Sequence, residues 1–376
     1  MTEDIFRDEF PVKDELIYLN HAAVCPIPRR TAAAVAAMAE EYRDRGSWDY
    51  PHILDTVRRG RERMADLIGS AAHEVAYVKN TTAGLLLAAE SIPWREGDSV
   101  VFSEIEFPAN VYPWLNIQRH GVEARMVAAS DDRLLSIDDY REACDATTRA
   151  IAVSWVQYST GQRMDIPAFA ELAREVGACL VVDGIQGLGA LQVDVHEMGA
   201  DILCADGHKW LLSVEGCGLM YVSDRVIGDL EPFWRGWTSV PRPMDFGAHG
   251  QPARDDARRF EEGSPNILGA AAMDASTGLL LEVGPAEVER RVIALTDRLI
   301  EGLRNIGCEI TSPLEPARRS GIVCFRHPER EAEEIVARLQ EERITAASRM
   351  GVARLSPHFY NDADEIDAAL GVIGGM

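Results

Sequence analysis

One rhythm dominates residues 73 to 222: short apolar runs that close on a polar residue, spaced by roughly helical lengths. The runs 73–78, 99–102, 150–155, 179–182, 201–205 and 218–222 are too short for buried helices and suit neighbouring buried parallel strands. Around them, helices are expected over 31–45, 51–68, 85–92, 166–176, 266–281 and 285–306. Ile53, Val57, Met64 and Leu67 mark the buried face of the second. Beyond residue 306 the pattern shortens to strands at 307–311 and 321–325 and helices at 329–341 and 363–372. The fold class this implies is α/β: a large domain with a mostly parallel, doubly wound sheet, and a smaller C-terminal α/β domain beside it. We divide the chain into an arm over 1–17, a large domain over 18–266, and linking helices plus the small domain over 267–376. Residues 231–262, rich in Trp, Pro, Gly and charge, are expected to be irregular.

Composition narrows the function classes. The 376 residues are 47% hydrophobic and carry a formal charge of −23, which disfavours nucleic acid or an anionic membrane as partner. No apolar run is long enough to span a bilayer, and the acidic N-terminus lacks a signal-peptide profile. Seven cysteines without C-x-x-C spacing suit reduced thiols, so a cytoplasmic location is expected. No metal is called for.

The candidate chemistry sits in the stretch 179–220. One apolar run ends in Asp183, with Gln186 three residues on; the next ends in Asp206-Gly207-His208-Lys209. Polar groups at strand ends of such a sheet collect along one edge. A lysine buried there loses basicity and becomes a nucleophile able to form a Schiff base. A paired acid suggests pyridoxal 5'-phosphate (PLP), which needs an amine for its aldehyde and a carboxylate to keep its pyridine nitrogen protonated. Lys209 and Asp183 suit those roles, with Gln186 near the ring's phenolic oxygen.

Asp183-Gly-Ile-Gln186 and His208-Lys209 make the chain resemble the class V aminotransferases of the PLP-dependent fold type I superfamily. That group includes cysteine desulfurases, selenocysteine lyases, kynureninases and isopenicillin N epimerases. The resemblance implies further roles. Thr81 and Thr82, at a helix start, match the phosphate cup, where free N–H groups, hydroxyls and the helix dipole bind the anion. His208 joins the cofactor set. Arg259-Phe-Glu-Glu-Gly-Ser264-Pro-Asn resembles the family's "R-F-E-x-G-T-P-N", whose hydroxyl residue reaches the neighbouring subunit's phosphate. A homodimer with the active site at its interface is therefore expected. Asn20, His21 and Ala22 match a segment that crosses the mouth of the active site and touches substrate. Arg354, in Arg-Leu-Ser-Pro-His-Phe-Tyr-Asn, matches the arginine that clamps the substrate carboxylate, and Arg349 is an additional candidate.

The departures bear on the reaction. Phe107 stands where desulfurases stack a histidine on the pyridine ring; it can sandwich the ring but cannot move protons. Asp206 replaces a small hydroxyl residue, and Ser213-Val214 a Gly-Pro. The segment 344–353, where persulfide-forming desulfurases carry their nucleophilic cysteine, has none. The implied function is a PLP-dependent enzyme acting on a small amino acid, with Lys209 abstracting the Cα proton and no protein persulfide formed. Transamination, or the related epimerisation, leads; β-elimination of a sulfur group is the runner-up; a non-catalytic PLP-binding regulator is the third reading. A dinucleotide-binding oxidoreductase is disfavoured by the lack of G-x-G-x-x-G after the first strand.

Overall fold

The computed structural model describes residues 3–376. Seven strands form its main sheet: β1 (Val75–Val78), β2 (Ser99–Ser103), β3 (Glu123–Val127), β4 (Thr148–Ser154), β5 (Cys179–Asp183), β6 (Ile202–Asp206) and β7 (Gly218–Val222). Their spatial order is β1-β7-β6-β5-β4-β2-β3. Only β7 runs against its neighbours; β6, β5, β4, β2 and β3 pair in parallel. Strands β4, β6 and β7 are buried along nearly their whole length, which is why they read as continuous apolar runs rather than as an alternation.

Helices cover both faces. Thr81–Ser91 lies on one, against β6; there a Cβ on Gly84 would come within 2.7 Å of Cys204 Sγ, so only glycine lets the helix sit this close. Ile166–Val176 covers the other, with Phe169 and Leu172 turned into the core. Tyr50–Ile68 packs its Ile53 and Met64 face against Ile267–Val283, whose Ala270, Met273, Leu279 and Leu280 join the large core. That helix falls within the 267–376 unit of the sequence division, yet it packs mainly on the helices Arg29–Arg45 and Tyr50–Ile68.

The C-terminal unit has a second sheet: β8 (Glu309–Ile310), β9 (Val323–Arg326), β10 (Ala347–Arg349) and β11 (Val352–Leu355), in the order β10-β11-β9-β8. Its own core gathers Leu299, Leu303, Phe325, Ile335, Leu339, Leu355 and Ile366. Ile322, Cys324, Val352, Phe359 and Tyr360, however, belong to the large core. The described part of the expected arm is helical over Glu3–Glu9, and Phe6 and Phe10 pack on Phe359 and Tyr360. Between residues 223 and 256 no helix or strand forms, in line with the irregular stretch read from the sequence. Among the described residues, no single helix is long and apolar enough to cross a membrane.

Candidate active site

The carboxyl ends of β5 and β6 open into a cleft of about 260 Å³. Its walls include Ala22, Thr81, Thr82, Phe107, Asp183, Gln186, His208, Lys209, Arg349 and Arg354, ten of the expected cofactor- and substrate-binding residues, together with Tyr158 and Asp206. Asp183 is the last residue of β5 and 2% exposed. Its Oδ1 accepts the Ile185 N–H at 3.0 Å. Burial pushes its carboxyl up, an effect that Glu106 adds to and that the Ile185 N–H and Lys209 oppose.

Lys209 follows β6 by three residues, in a turn held by the Ser213 N–H to Gly207 carbonyl bond at 2.9 Å. Burial depresses its ammonium, and the nearby Arg354 and Arg349 add to that, against the pull of Asp183 and Asp206. The amine is thus readied as a nucleophile. Nζ lies 5.6 Å from the Phe107 ring centroid. Phe107 is 44% exposed and meets Tyr158 edge-on at 5.2 Å, so it is a cleft wall rather than a core residue.

Gln186 spans the floor. Its Oε1 accepts from Trp210 Nε1 at 3.0 Å, and one Nε2 hydrogen goes to the Ala22 carbonyl at 3.0 Å. The other remains for a ligand oxygen. Just beyond, Gly189 turns at φ +96°, and a Cβ there would come within 2.2 Å of the Trp210 carbonyl. The Gln186 loop and the Lys209 turn are therefore pressed together at a place where only glycine fits.

The helix Thr81–Ser91 aims its N-terminus at the cleft, capped by Asn80 Oδ1 accepting the Ala83 N–H at 2.8 Å. Thr81 Oγ1 is buried without a partner. His208 Nδ1 sits 2.9 Å from Asp206 Oδ2, and Asp206 Oδ1 accepts the Gly207 N–H at 2.7 Å. Opposite stands Arg354, 1% exposed. Its Nη1 donates to the Tyr158 carbonyl at 2.8 Å, while Nε and Nη2 have no partner. Burial lowers its pKa to about 10.

Three expected site residues lie outside this cleft. Ser264 is exposed and lines a neighbouring cavity of about 260 Å³ with Lys79, Ala83 and Trp234, on the other side of the same helix start. His21 is fully buried: Nδ1 donates to the Ser356 carbonyl (2.9 Å) and Nε2 accepts from the Tyr360 hydroxyl (2.7 Å). Asn20 bridges to Ser356. Both anchor the mouth-crossing segment to the small domain, and Ala22 is the member that reaches the cleft.

One residue was not singled out in the sequence. Glu106 is 4% exposed and accepts from Ser154 N (2.9 Å), Gln157 Nε2 (2.7 Å) and Asn110 Nδ2 (3.1 Å). Burial raises its carboxyl pKa. An acid inside the apolar-rich 105–114 was the available signal.

These residues fit PLP. The cleft offers a desolvated amine, a carboxylate with one oxygen uncommitted, a free amide hydrogen, an aromatic wall, and a helix N-terminus with an unpartnered hydroxyl.

The family comparison covers the same ground. The model for "Aminotransferase class-V" matches residues 17–368. A probable cysteine desulfurase of Methanothermobacter thermautotrophicus is 29% identical, covering 97% of this chain and 95% of that one. An uncharacterized aminotransferase, YcbU, of Bacillus subtilis is 28% identical, again over 97% and 95%. Among solved structures, the cystine C–S lyase C-DES in complex with cysteine persulfide superposes with a TM-score of 0.89 at 22% identity, over 97% of this chain and 99% of that one. A match that spans residues 17–368, with Asp183, Lys209 and Arg354 inside it, places this chain in the class V aminotransferase family, whose cofactor is pyridoxal 5'-phosphate.

Proposed function

We propose that the protein is a PLP-dependent C–S lyase, cleaving a sulfur group from the β-carbon of an amino acid and releasing it to solvent. This is the runner-up of the sequence reading. The names of its relatives, mostly cysteine desulfurases, support it over transamination. The observation that carries the second half is the cleft lining, which among the described residues includes no cysteine. Cys324, the cysteine nearest in sequence to the hairpin β10-β11, is fully buried, gives its thiol to the Ser159 carbonyl, and has its pKa pushed up to about 11 by burial. Such a thiol is inert as a sulfur acceptor.

Arg354 seats the α-carboxylate with its two unpartnered donors. Lys209, freed when the substrate amine takes its place, removes the Cα proton at Nζ. Bound PLP supplies the electron sink that makes this bond acidic, and Asp183 keeps the pyridine nitrogen protonated. The electron pair of the Cα–H bond then becomes the Cα=Cβ bond as Cβ–S breaks, and sulfur leaves with its own pair. Phe107 has no proton to give, so the proton that Lys209 has taken from Cα is the one at hand for the leaving sulfur. Ser264 of a second copy completes the phosphate cup in a homodimer.

Transamination stays as the second reading. Phe107 leaves Lys209 as the proton carrier near Cα, and that reaction needs no other. Incubation with cystine, cysteine conjugates and alanine decides. Ammonia and pyruvate in equal amounts support the lyase. Keto acid with accumulated pyridoxamine phosphate would replace it by the aminotransferase, and radiolabelled sulfur retained on a cysteine of the protein would overturn both.

A further inference from the structure

Two arginines face the cleft, and only one is needed for an α-carboxylate. The register of β10 and β11 pairs Ala347 with Arg354 and Arg349 with Val352. Residues paired across an antiparallel ladder share a face, as do residues two apart along a strand. Arg349 and Arg354 therefore project from the same face as diagonal neighbours, with backbones roughly 7–8 Å apart. Both line the cleft, and each is close enough to Lys209, and Arg349 to Arg354, to disfavour the other's charge.

The connection between the strands fixes this arrangement. Met350 and Gly351 form a two-residue turn with φ of +52° and +78°. Positive φ at both central positions is the tightest hairpin closure, matched to the strand twist. A methionine rarely adopts it. Arg349 is the residue immediately before this turn, so little slack separates its backbone from the sheet.

Arg349 has no carboxylate partner. Among the described residues, neither arginine takes part in an ion pair, each donating only to a backbone carbonyl, in a chain where acids outnumber bases by 23. Its Nη1 donates to its own neighbour's carbonyl, Ser348, at 2.7 Å. The two acids lining the cleft are committed elsewhere: Asp206 to Gly207 and His208, and Asp183 to Ile185 on the cofactor side. The small-domain wall of the cleft is thus left with a surplus of positive charge. Its second fork stands one ladder diagonal from the one that seats the α-carboxylate.

We infer that Arg349 is a specificity-determining residue and that the substrate carries a second anionic group on its side chain, such as a carboxylate, sulfinate or sulfonate, two or three bonds from Cα. The inference rests on the proposed function only in seating an amino acid by its α-carboxylate on Arg354.

The test is binding rather than turnover. PLP-loaded protein is titrated with L-aspartate and with L-asparagine, which differ in the side-chain charge and little in shape. The readout is the change in cofactor absorbance as the amino acid displaces Lys209. The expected result is aspartate binding at least ten-fold tighter than asparagine, with cysteine sulfinate on the aspartate side. In Arg349→Gln that ratio falls to near one, and in Arg349→Lys a large part of it is kept. A ratio near one in the unmodified protein, or a ratio unchanged in Arg349→Gln, overturns the inference. Because displacement is read whether or not a product forms, this outcome is separate from the lyase question, which the product analysis decides.

Discussion

Replacing Arg354 with methionine should weaken catalysis and strengthen the empty protein at once. The guanidinium is 1% exposed, and burial pulls its pKa from 12.5 to about 10. Holding it charged at neutral pH therefore costs the fold roughly 3 kcal/mol, at about 1.4 kcal/mol per pH unit. The sign is that of a cation disfavoured by folding: the cost is fully present below the folded pKa and vanishes only above the unfolded one. A bound carboxylate reverses that cost. Losing one partner of such a desolvated pair costs on the order of 2–5 kcal/mol, or about thirty-fold to several thousand-fold in kcat/KM. The loss should fall mostly on KM. In the cofactor-free protein, methionine fills similar volume without a buried charge, and removes two unpartnered donors at the expense of the bond to the Tyr158 carbonyl. The assay pairs kcat and KM, on whichever amino acid the product analysis identifies as substrate, with a thermal melt of the apo form. A normal KM with a melting temperature several degrees lower would refute the reasoning, because Arg354 would then be a structural strut.

Three further outcomes follow from the same geometry. Asp183→Asn should retain PLP but slow Cα–H cleavage by orders of magnitude, read as loss of α-proton exchange with solvent deuterium; near-normal exchange would mean that the ring lies elsewhere. Capture of PLP by the apo protein should speed up as pH rises through about 8, since burial lowers Lys209 to that value and only the free amine reacts; a midpoint near 10.5 would remove the argument for a desolvated lysine. An inactive Lys209→Ala protein mixed with an inactive Ser264→Ala protein should regain activity through hybrid dimers, whereas a fully active monomer would exclude the shared phosphate cup.

The sequence showed most of the large sheet because its central strands are buried on both faces, so β4 to β7 announce themselves as apolar runs. Strand β3 did not. Its residues Glu123–Val127 include a half-buried arginine and an exposed Met126 at the sheet edge, and no period-two pattern survives. The hairpin β10-β11 was hidden as well: its strands are three and four residues long, and its turn uses methionine where asparagine or glycine would signal one. The gathering of Asp183, Gln186 and Lys209 in one cleft was legible because they hang from strand ends that the apolar runs locate. His21 shows the limit. A histidine in a loop read as a candidate for substrate contact, but its partners Ser356 and Tyr360 are more than 330 residues away in sequence.

The continuity of the core through Ile322, Val352, Phe359 and Tyr360 has a bearing on how substrate enters. A clamshell that swings its smaller shell outward would have to part Ile322, Val352, Phe359 and Tyr360 from the rest of that core, and would carry the N-terminal arm with it, since Phe10 stacks on Tyr360 at 3.7 Å and Lys13 pairs with Asp362 and Glu365. Entry past the exposed side chains of Val24 and Phe107, which line the cleft, requires no such parting. Amide hydrogens of 355–361 should consequently exchange as slowly as those of β5, with or without ligand.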